Sequence, residues 1–448
     1  MARVSDIAVR TELPTATPGE TLAILSEVIV PTLAKGVIIR RPPVVAAADR
    51  LDLDRRAIRR VQGLRDKYGS GPLLLRTPVR TQALILDPAH VHRVLDESPE
   101  PFATASGEKR AALSHFQPRG VLISHGAERA DRRRYNEQVL DTGSPMHRLA
   151  ERFGAVVREE AELLLGAVRH REELAWADFA LAWFRVVRRV VFGDAARDDY
   201  ELTTMIGRLR GDANWAFFKP RRRGLRDQFY ARMGRYLAQG DPQSLAGVMA
   251  ATHATSLTAP SHQVPQWLFA FDPAGMTTFR ALALLATHPE PLERVRAELR
   301  ERAGHAQPDL PYLRACVLES LRLWPTTPMV LRQTTRPTEW EQGMLPARAG
   351  VLIYAPFFHR DEARLPEANS FAPELWLRRR DNSDYPLIPF SGGPAMCPGR
   401  NLVLLVSSAM LASLLDGRSF RLSGPPRLGP ARPLPATLDN YGLRFAPA

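Results

Sequence analysis

The chain has little cysteine: Cys316 and Cys397 are the two cysteines in 448 residues. Two thiols cannot form a disulfide framework, and they exclude iron–sulfur and thiolate-rich zinc sites, which need several sulfur ligands. Free thiols suit a reducing compartment, so we expect a cytoplasmic location. Any chemistry that uses sulfur must therefore depend on one thiol acting alone.

The chain also lacks a secretory signal and a long uncharged run. Its first twenty residues are rich in charge and contain no apolar stretch of signal-peptide length. The segment Leu22–Ile39 is apolar, but Glu27, Pro31 and Lys35 interrupt it, whereas a membrane-spanning helix needs about twenty nearly uncharged residues. We expect a packed helix and a turn there and no transmembrane segment, with peripheral membrane contact as the less favoured alternative.

Lysine is scarce although the chain is basic. The formal net charge is +13, and only four of the 61 basic residues are lysines. This arginine bias is as typical of a high-G+C coding sequence as of a binding surface. No zinc-finger, homeodomain or RNA-recognition signature accompanies the charge, so we expect no specific nucleic-acid partner. The basic cluster Lys219–Arg223 is expected in a solvated turn, with a membrane-facing or anion-binding role as the alternative.

Helical periodicity is the dominant pattern in the middle of the chain. Apolar residues recur at spacings of three and four between about Leu149 and Leu299. Short β-like runs at Pro72–Arg76 and Thr81–Leu86 precede this region. The segment Gly417–Pro435 is rich in proline and glycine, which predicts loop and edge strand.

Cys397 lies in a loop, Phe390–Arg400, that precedes an apolar run of helical length, Leu402–Leu415. A helix N-terminus and free backbone N–H groups favour the thiolate form of such a cysteine. Gly393 and Gly399 allow the backbone to approach a flat ligand closely. These features favour an axial ligand of haem iron, and a buried structural cysteine is the alternative.

The loop resembles the haem-binding loop of the cytochrome P450 family, Phe-x-x-Gly-x-Arg-x-Cys-x-Gly. Phe390, Gly393, Cys397 and Gly399 match, and Ala395 stands where the family has an arginine that contacts a haem propionate. The resemblance implies haem b (iron protoporphyrin IX) bound through Cys397, whose thiolate favours O–O cleavage.

The resemblance also implies the fold: mainly α with a small β-rich lobe, the cytochrome P450 fold. We expect a single domain over residues 1–448. It comprises an N-terminal region at 1–70 and a core at 71–448 that carries the haem loop at 390–400.

A Glu-x-x-Arg pattern lies upstream of the Cys397 loop, in the helical run Tyr312–Leu323. A spacing of three places Glu319 and Arg322 on one helix face. The pattern matches the structural Glu-x-x-Arg motif of the family. A third residue that locks this pair in the family, an arginine, is replaced here by Leu375. We expect a nearby arginine, Arg360 or Arg378, to compensate.

Three arginines resemble the propionate partners of the family. Arg129 and Arg133 occur in a His-x-x-x-Arg-x-x-x-Arg pattern, and Arg332 follows a segment that resembles a strand beside the haem edge. A planar guanidinium forms a fork that fits a carboxylate. For Arg133, an ordinary exposed arginine is an equal alternative.

The central helix departs from the family pattern, Ala-Gly-x-Asp-Thr, in which the threonine delivers protons. In the preferred register Ala270 aligns with the glycine, Asp272 with the acid and Pro273 with the threonine, so the hydroxyl is missing. Proton delivery would then depend on Asp272, ordered water or the substrate. In the alternative register, Ala274–Thr278 forms the site; a purely structural, salt-bridged Asp272 is also possible.

The leading functional hypothesis is a bacterial-type, soluble haem-thiolate monooxygenase. It would insert oxygen from O₂ into a hydrophobic small molecule, or couple it oxidatively. A separate acidic ferredoxin or flavodoxin would supply electrons, since the chain has no fused flavin or iron–sulfur module. We expect a monomer. A peroxide-driven peroxygenase and a catalytically silent haem-binding helper protein are the alternatives.

Overall fold

The computed structural model describes residues 12–77, 80–304, 309–381, 384–424 and 427–447. Its α-helices are α1 (Pro18–Ile24), α2 (Val30–Ala34), α3 (Pro42–Arg50), α4 (Leu53–Tyr68), α5 (Pro88–Asp96), α6 (Gly107–Leu113), α7 (Gly126–Val139), α8 (Ala150–Arg171), α9 (Trp176–Phe192), α10 (Tyr200–Ala213), α11 (Arg223–Gln239), α12 (Leu245–Ala251), α13 (Val264–Thr287), α14 (Pro289–Glu301), α15 (Pro311–Leu323), α16 (Ala355–His359) and α17 (Arg400–Leu415). One π-helical turn, Leu25–Ile29, joins α1 to α2.

The strands are short and form three small sheets. They are β1 (Leu73–Leu75), β2 (Gln82–Leu84), β3 (Phe102–Ala103), β4 (Leu174–Ala175), β5 (Met329–Thr334), β6 (Thr338–Trp340), β7 (Gly343–Leu345), β8 (Gly350–Tyr354), β9 (Phe420–Leu422) and β10 (Arg444–Pro447). The largest sheet has the order β1-β2-β8-β5-β3, and only its β2–β8 pair is parallel. The prediction of a mainly α fold with a small β-rich part is confirmed.

Strand β5 positions one candidate site residue through its alternation. Val330, Arg332 and Thr334 are buried, whereas the residues between them are partly open. Arg332 therefore points to the buried face of the sheet, as the two-residue period of a strand requires. There it reaches Ser98, which follows α5, and Ser391 in the Cys397 loop.

Helix α13 lies at the centre of the larger of two hydrophobic cores. It packs against α9, against α15, which contains Glu319 and Arg322, and against α17, which follows the Cys397 loop. The smaller core lies between the five-stranded sheet and helices α4, α5 and α16. Both α13 and α17 are apolar over most of their circumference, which is typical of helices buried on all sides.

The N-terminal segment folds as expected, into a helix that packs through Ile24 and Val28 and then turns at Gly36. Within the part of the chain that the structure describes, no helix combines the length and the apolar character needed to cross a membrane.

Candidate active site

The Cys397 loop is held tightly at its start. Gly393 has a φ of +59°, and a Cβ there would lie 2.2 Å from the carbonyl oxygen of Leu95 at the end of α5. Only glycine fits this conformation and this close approach. The loop then turns back, so that the N–H of Cys397 donates to the carbonyl of Phe390 at 3.0 Å. Phe390 and Gly393 therefore shape the loop around Cys397.

The thiol of Cys397 is half-buried at the start of α17. Burial raises its pKa, while the Gly399 N–H and the positive charges of Arg133 and Arg400 act in the opposite direction. A metal ion deprotonates a coordinating thiol outright. The Gly399 N–H and the charges of Arg133 and Arg400 would therefore stabilise the thiolate form of Cys397 once a metal ion is bound.

Arg129 and Arg332 form a pair of cations without a counter-charge. The Arg129 side chain has no hydrogen bond or ion pair with any residue that the structure describes, and its Nε is buried. Arg332 donates only to neutral groups: Ser98 Oγ at 2.9 Å, Ser391 Oγ at 3.2 Å and its neighbour's carbonyl. Burial, followed by repulsion from Arg129, lowers the pKa of Arg332 to about 10.

Lys109 adds a third cation that sequence reasoning missed. Its ammonium donates to the carbonyl of Leu331 at 3.1 Å. Burial, followed by repulsion from Arg332, lowers its pKa to about 7. The sequence offered only a weak signal, since Lys109 is one of four lysines in an arginine-rich chain.

Arg133 is engaged differently from Arg129. It donates to Glu137 at 2.5 Å and to the carbonyl of Met396 at 2.6 Å, directly before Cys397. These contacts tie helix α7 to the cysteine loop. Ala395 has no guanidinium, so the arginine that the family has at this position is missing from the site.

Glu319 and Arg322 form a fully buried ion pair, with an exposed fraction of 0% for both side chains. Two parallel hydrogen bonds of 2.6 and 2.7 Å join the guanidinium and the carboxylate. Arg322 also donates to the backbone carbonyls of His359, the last residue of α16, and of Ala368 in the segment that follows. The pair therefore fixes the long connection between α16 and the Cys397 loop to helix α15.

The predicted compensation by an arginine is wrong, because an indole completes the Glu319 site. Trp376 Nε1–H donates to Glu319 at 2.9 Å, and the Ala372 N–H donates to the other oxygen at 2.9 Å. Arg360 is buried elsewhere, on Asn369 and backbone carbonyls, and Arg378 pairs with Asp384. A neutral N–H is sufficient here because Arg322 already supplies the positive charge.

His359 connects this buried pair to the chain that leads into the cysteine loop. The Ile388 N–H donates to His359 Nε2 at 2.9 Å, so the proton of the ring must be on Nδ1, which lies 3.2 Å from the carbonyl of Arg322. Burial, followed by the charge of Arg322, lowers the pKa of His359 to about 3. The imidazole of His359 is therefore neutral in the folded protein at neutral pH.

In the first three turns of α13, one face stays partly open while the other positions are buried. The open positions are Gln266, Phe269, Ala270 and Pro273, which are spaced by three and four. In the alternative register, by contrast, Thr278 is buried and its hydroxyl donates to the Ala274 carbonyl at 2.8 Å. The open face supports the register that uses Ala270 and Pro273.

Pro273 does not end the helix, which runs from Val264 to Thr287. Proline has no N–H, so the Phe269 carbonyl lacks its helical donor. The Phe271 carbonyl has an outside partner, Trp183 Nε1–H at 2.7 Å. A Cβ on Gly275 would lie 2.8 Å from the same indole, so this turn of α13 is fitted closely to α9.

Asp272 is ion-paired. Arg210 of α10 donates to it at 2.5 Å and also donates to the carbonyl of Ile38 at 2.9 Å. The guanidinium of Arg210 lies 4.9 Å from the ring centre of Phe269. Asp272 thus forms the salt bridge that the sequence analysis gave as an alternative to a catalytic role. A role of Asp272 in proton transfer stays a prediction.

Comparisons with known proteins agree with this geometry. The family model for cytochrome P450 matches residues 262–437, which contain α13, Glu319, Arg322 and Cys397. The region from α13 to the Cys397 loop is thus similar to the cytochrome P450 family, and the chain shares the fold of that family. The P450 fold itself is matched by the structure described as retinoic acid bound cyanobacterial CYP120A1, with a TM-score of 0.69 and 18% identity over 86% of this chain and 93% of that one.

Similar sequences include P450s of plants. Ferruginol synthase 1 of Rosmarinus officinalis is 33% identical over 152 residues, which are 32% of this chain and 31% of that protein. Beta-amyrin 24-hydroxylase of Glycine max is 33% identical over 152 residues, 30% of each chain. The chain thus matches about a third of the length of these relatives. A bacterial affinity stays a prediction.

The cofactor of the family and fold is haem b, and the residues present fit it. Cys397 supplies the thiolate ligand. The two cations Arg129 and Arg332 lack a counter-charge, and the two propionates of a haem would provide one each. Lys109 would add a third positive charge for the propionates, whereas Ala395 contributes none.

Trp376→Phe tests the indole that completes the Glu319 site. We expect it to lower the free energy of unfolding by about 1.5–3 kcal/mol, because the acceptor of the lost hydrogen bond is charged. Glu319→Ala should cost about 3–5 kcal/mol and reduce haem incorporation, because it leaves a buried charge. Urea unfolding and haem content per chain measure both.

Trp324→Phe is the matched control, since the indole N–H of Trp324 donates to a neutral carbonyl, that of Pro435, at 2.9 Å. Its loss should cost only about 0.5–1.5 kcal/mol. If Trp376→Phe costs no more than Trp324→Phe, the indole does not carry the role assigned to it.

His359 predicts a pH dependence of stability. Its pKa is about 3 in the folded state, against an ordinary value of 6.5, so the unfolded state binds the extra proton between these values. The His359 contribution is complete above pH 6.5 and falls by about 1.4 kcal/mol per pH unit as the pH drops towards 3. His359→Gln should be less stable at pH 7 but lose stability less steeply between pH 6 and 4 in urea titrations. Equal slopes for the variant and the parent would contradict this.

Proposed function

We propose that this P450 is a haem-thiolate monooxygenase that oxidises a hydrophobic small molecule with electrons from a separate carrier. The observation that carries the proposal is the half-buried Cys397, presented by a glycine-shaped loop at the start of α17. When bound, haem with a thiolate ligand supplies the activation of dioxygen.

Other residues of the chain stabilise the thiolate, bind the haem carboxylates and contact the substrate. Arg133 and the Gly399 N–H stabilise the negative charge on Cys397. Arg129, Arg332 and Lys109 would hold the carboxylates of a bound haem. The open face of α13, through Phe269 and Ala270, offers apolar surface to a substrate, and the acid Asp272 directly precedes Pro273 of that face in the chain.

The basic surface supports an acidic electron donor of the ferredoxin or flavodoxin type. The net charge of +13 favours fast, salt-dependent encounter with a negatively charged partner. The proposal includes a cytoplasmic location and a monomeric state. The electron donor is a separate protein.

A peroxide-driven reaction is the second candidate, and one observation favours it. Such enzymes also have a proline at the position of Pro273, together with a cation that holds an acidic substrate. The negative charge of Asp272 argued against this reaction from sequence, but Arg210 neutralises it. Product formation with hydrogen peroxide alone, without an electron donor, would select this candidate.

Cys397→Ala tests the ligand directly. The reduced parent protein with carbon monoxide should show the red-shifted Soret band of a thiolate-ligated haem, and the variant should lose that band. Cys397→Ser keeps the size of the side chain and should lose the band as well. A red-shifted band in either variant would show that Cys397 is not the ligand.

Asp272→Asn tests the proton role. Positioned acid catalysis is typically worth about 10²–10⁴ in rate, so product formation per electron delivered should fall by at least 10², with substrate affinity nearly unchanged. A compound that shifts the haem spin state serves as the substrate. Turnover equal to that of the parent would make Asp272 a structural partner of Arg210 only.

A further inference from the structure

An outward-facing apolar stripe runs along the N-terminal helical segment from α1 to α2. Leu22, Val30 and Leu33 form it, with exposed fractions of 65%, 56% and 47%. Their helical spacing places them on one side of the segment, away from Ile24 and Val28, which pack into the smaller core. A surface helix normally presents polar residues to water, so this side of the segment is suited to an apolar partner.

The turn between α10 and α11 carries a second exposed apolar group, the aromatic tip, which consists of Trp215, Phe217 and Phe218. Phe217 and Phe218 are 72% and 84% exposed, the highest values for large apolar side chains in the part of the chain that the structure describes. Single exposed apolar residues are ordinary, but neighbouring aromatic rings in one turn indicate an interaction site.

Direct contacts join the stripe to the aromatic tip. Asn214, which precedes the tip, accepts from the N–H of Ile38 at 2.9 Å. The guanidinium of Arg41 lies 4.4 Å from the ring centre of Trp215. Val37 directly precedes Ile38 and is itself exposed, so the apolar surface continues from α2 to the tip. We call the apolar stripe, Val37 and the aromatic tip together the docking surface.

Positive charge borders the docking surface directly after the aromatic tip. Arg221 and Arg223 are exposed and form no ion pair with any residue that the structure describes. Their neighbours Lys219 and Arg222 share a single acid, Asp212. This turn therefore keeps an excess of positive charge beside its aromatic rings.

A cleft of about 490 Å³ lies between α4 and the segment that carries the apolar stripe. Arg56 and Arg59 line it, and neither forms an ion pair with a residue in the described ranges. The two carboxylates of the cleft, Glu20 and Glu27, already pair with other basic residues. The cleft thus offers two free guanidinium groups, which fit the oxygens of a phosphate.

We propose that the docking surface binds peripherally to a bilayer that contains anionic phospholipid. The apolar stripe and the aromatic tip enter the boundary between headgroups and acyl chains, where aromatic and aliphatic side chains are favoured. The free arginines of the turn and of the cleft bind the lipid phosphates. A second copy of the chain fits less well, because pairing two such surfaces brings like charges together.

Co-sedimentation of the haem-loaded protein with vesicles tests the proposal. One vesicle preparation contains phosphatidylcholine with phosphatidylglycerol, and the other contains phosphatidylcholine alone. We expect binding to the anionic vesicles at about 50 mM salt and loss of most of it at about 500 mM, because salt screens exposed charges. Binding to the neutral vesicles should be weaker at both salt concentrations.

Two double variants remove the charges. Arg221→Glu with Arg223→Glu should lower the partition coefficient onto anionic vesicles by at least about 30-fold, since each arginine near an anionic surface contributes about 5-fold. Arg56→Glu with Arg59→Glu should have an effect of the same size. All four side chains are exposed, so the fold should tolerate these changes.

Phe217→Ser with Phe218→Ser removes the apolar contact of the tip. It should lower partitioning by at least about 10-fold, because each phenylalanine loses its burial in the bilayer. Leu163→Ser with Leu181→Ser is the matched control, since these leucines are exposed on α8 and α9, outside the docking surface.

The charge control is Arg169→Glu with Arg300→Glu, which changes the net charge equally through exposed arginines of α8 and α14. Partitioning should fall less than about 5-fold in both controls.

Each outcome decides the proposal. Absence of binding to anionic vesicles at low salt overturns it, and so does an equal loss in the test variants and their controls. A concentration-dependent dimer that the phenylalanine variant abolishes, without vesicle binding, assigns the surface to a second copy instead. The carbon monoxide band of each preparation reports the haem-thiolate site separately, so failure of lipid binding leaves the proposed function standing.

Discussion

The buried pair of Glu319 and Arg322 is the interaction on which the rest of the site depends. Arg322 donates to backbone carbonyls at the end of α16 and in the segment after it, and His359 accepts from the N–H of Ile388, two residues before the cysteine loop. A fully buried ion pair is stable only when its remaining donors and acceptors are satisfied. Here Trp376 and Ala372 complete the carboxylate, so the pair can hold the loop at a fixed distance from α15.

Surplus positive charge in the interior is the second organising feature. Arg332 experiences the positive charges of Arg129 and Lys109, and none of these three cations forms an ion pair with an acid that the structure describes. Because unbalanced buried charge destabilises a fold, this group indicates an anion that arrives from outside the polypeptide. The carboxylates of a bound haem would supply that negative charge.

The sequence was sufficient for the fold and for the residues that chemistry constrains most. Cys397, Gly393, Glu319 and Arg322 stand at fixed spacings within short motifs, so one chain is enough to recognise them. The partners of those residues were harder to predict. Trp376 lies 57 positions from Glu319, and the Arg210–Asp272 pair spans 62 positions, so only the packing of distant helices brings them together. A compensating arginine was expected because chemistry suggested a charge, whereas the structure needed only an N–H donor.

The close approach of Gly393 to Leu95 has a mechanical consequence. Because no side chain separates the two backbones, any shift of the end of α5 is transmitted directly to the loop that carries Cys397. Ser98, three residues beyond Leu95, also binds Arg332. The end of α5 therefore positions both the loop that carries Cys397 and the guanidinium of Arg332, so the positions of these two groups are coupled.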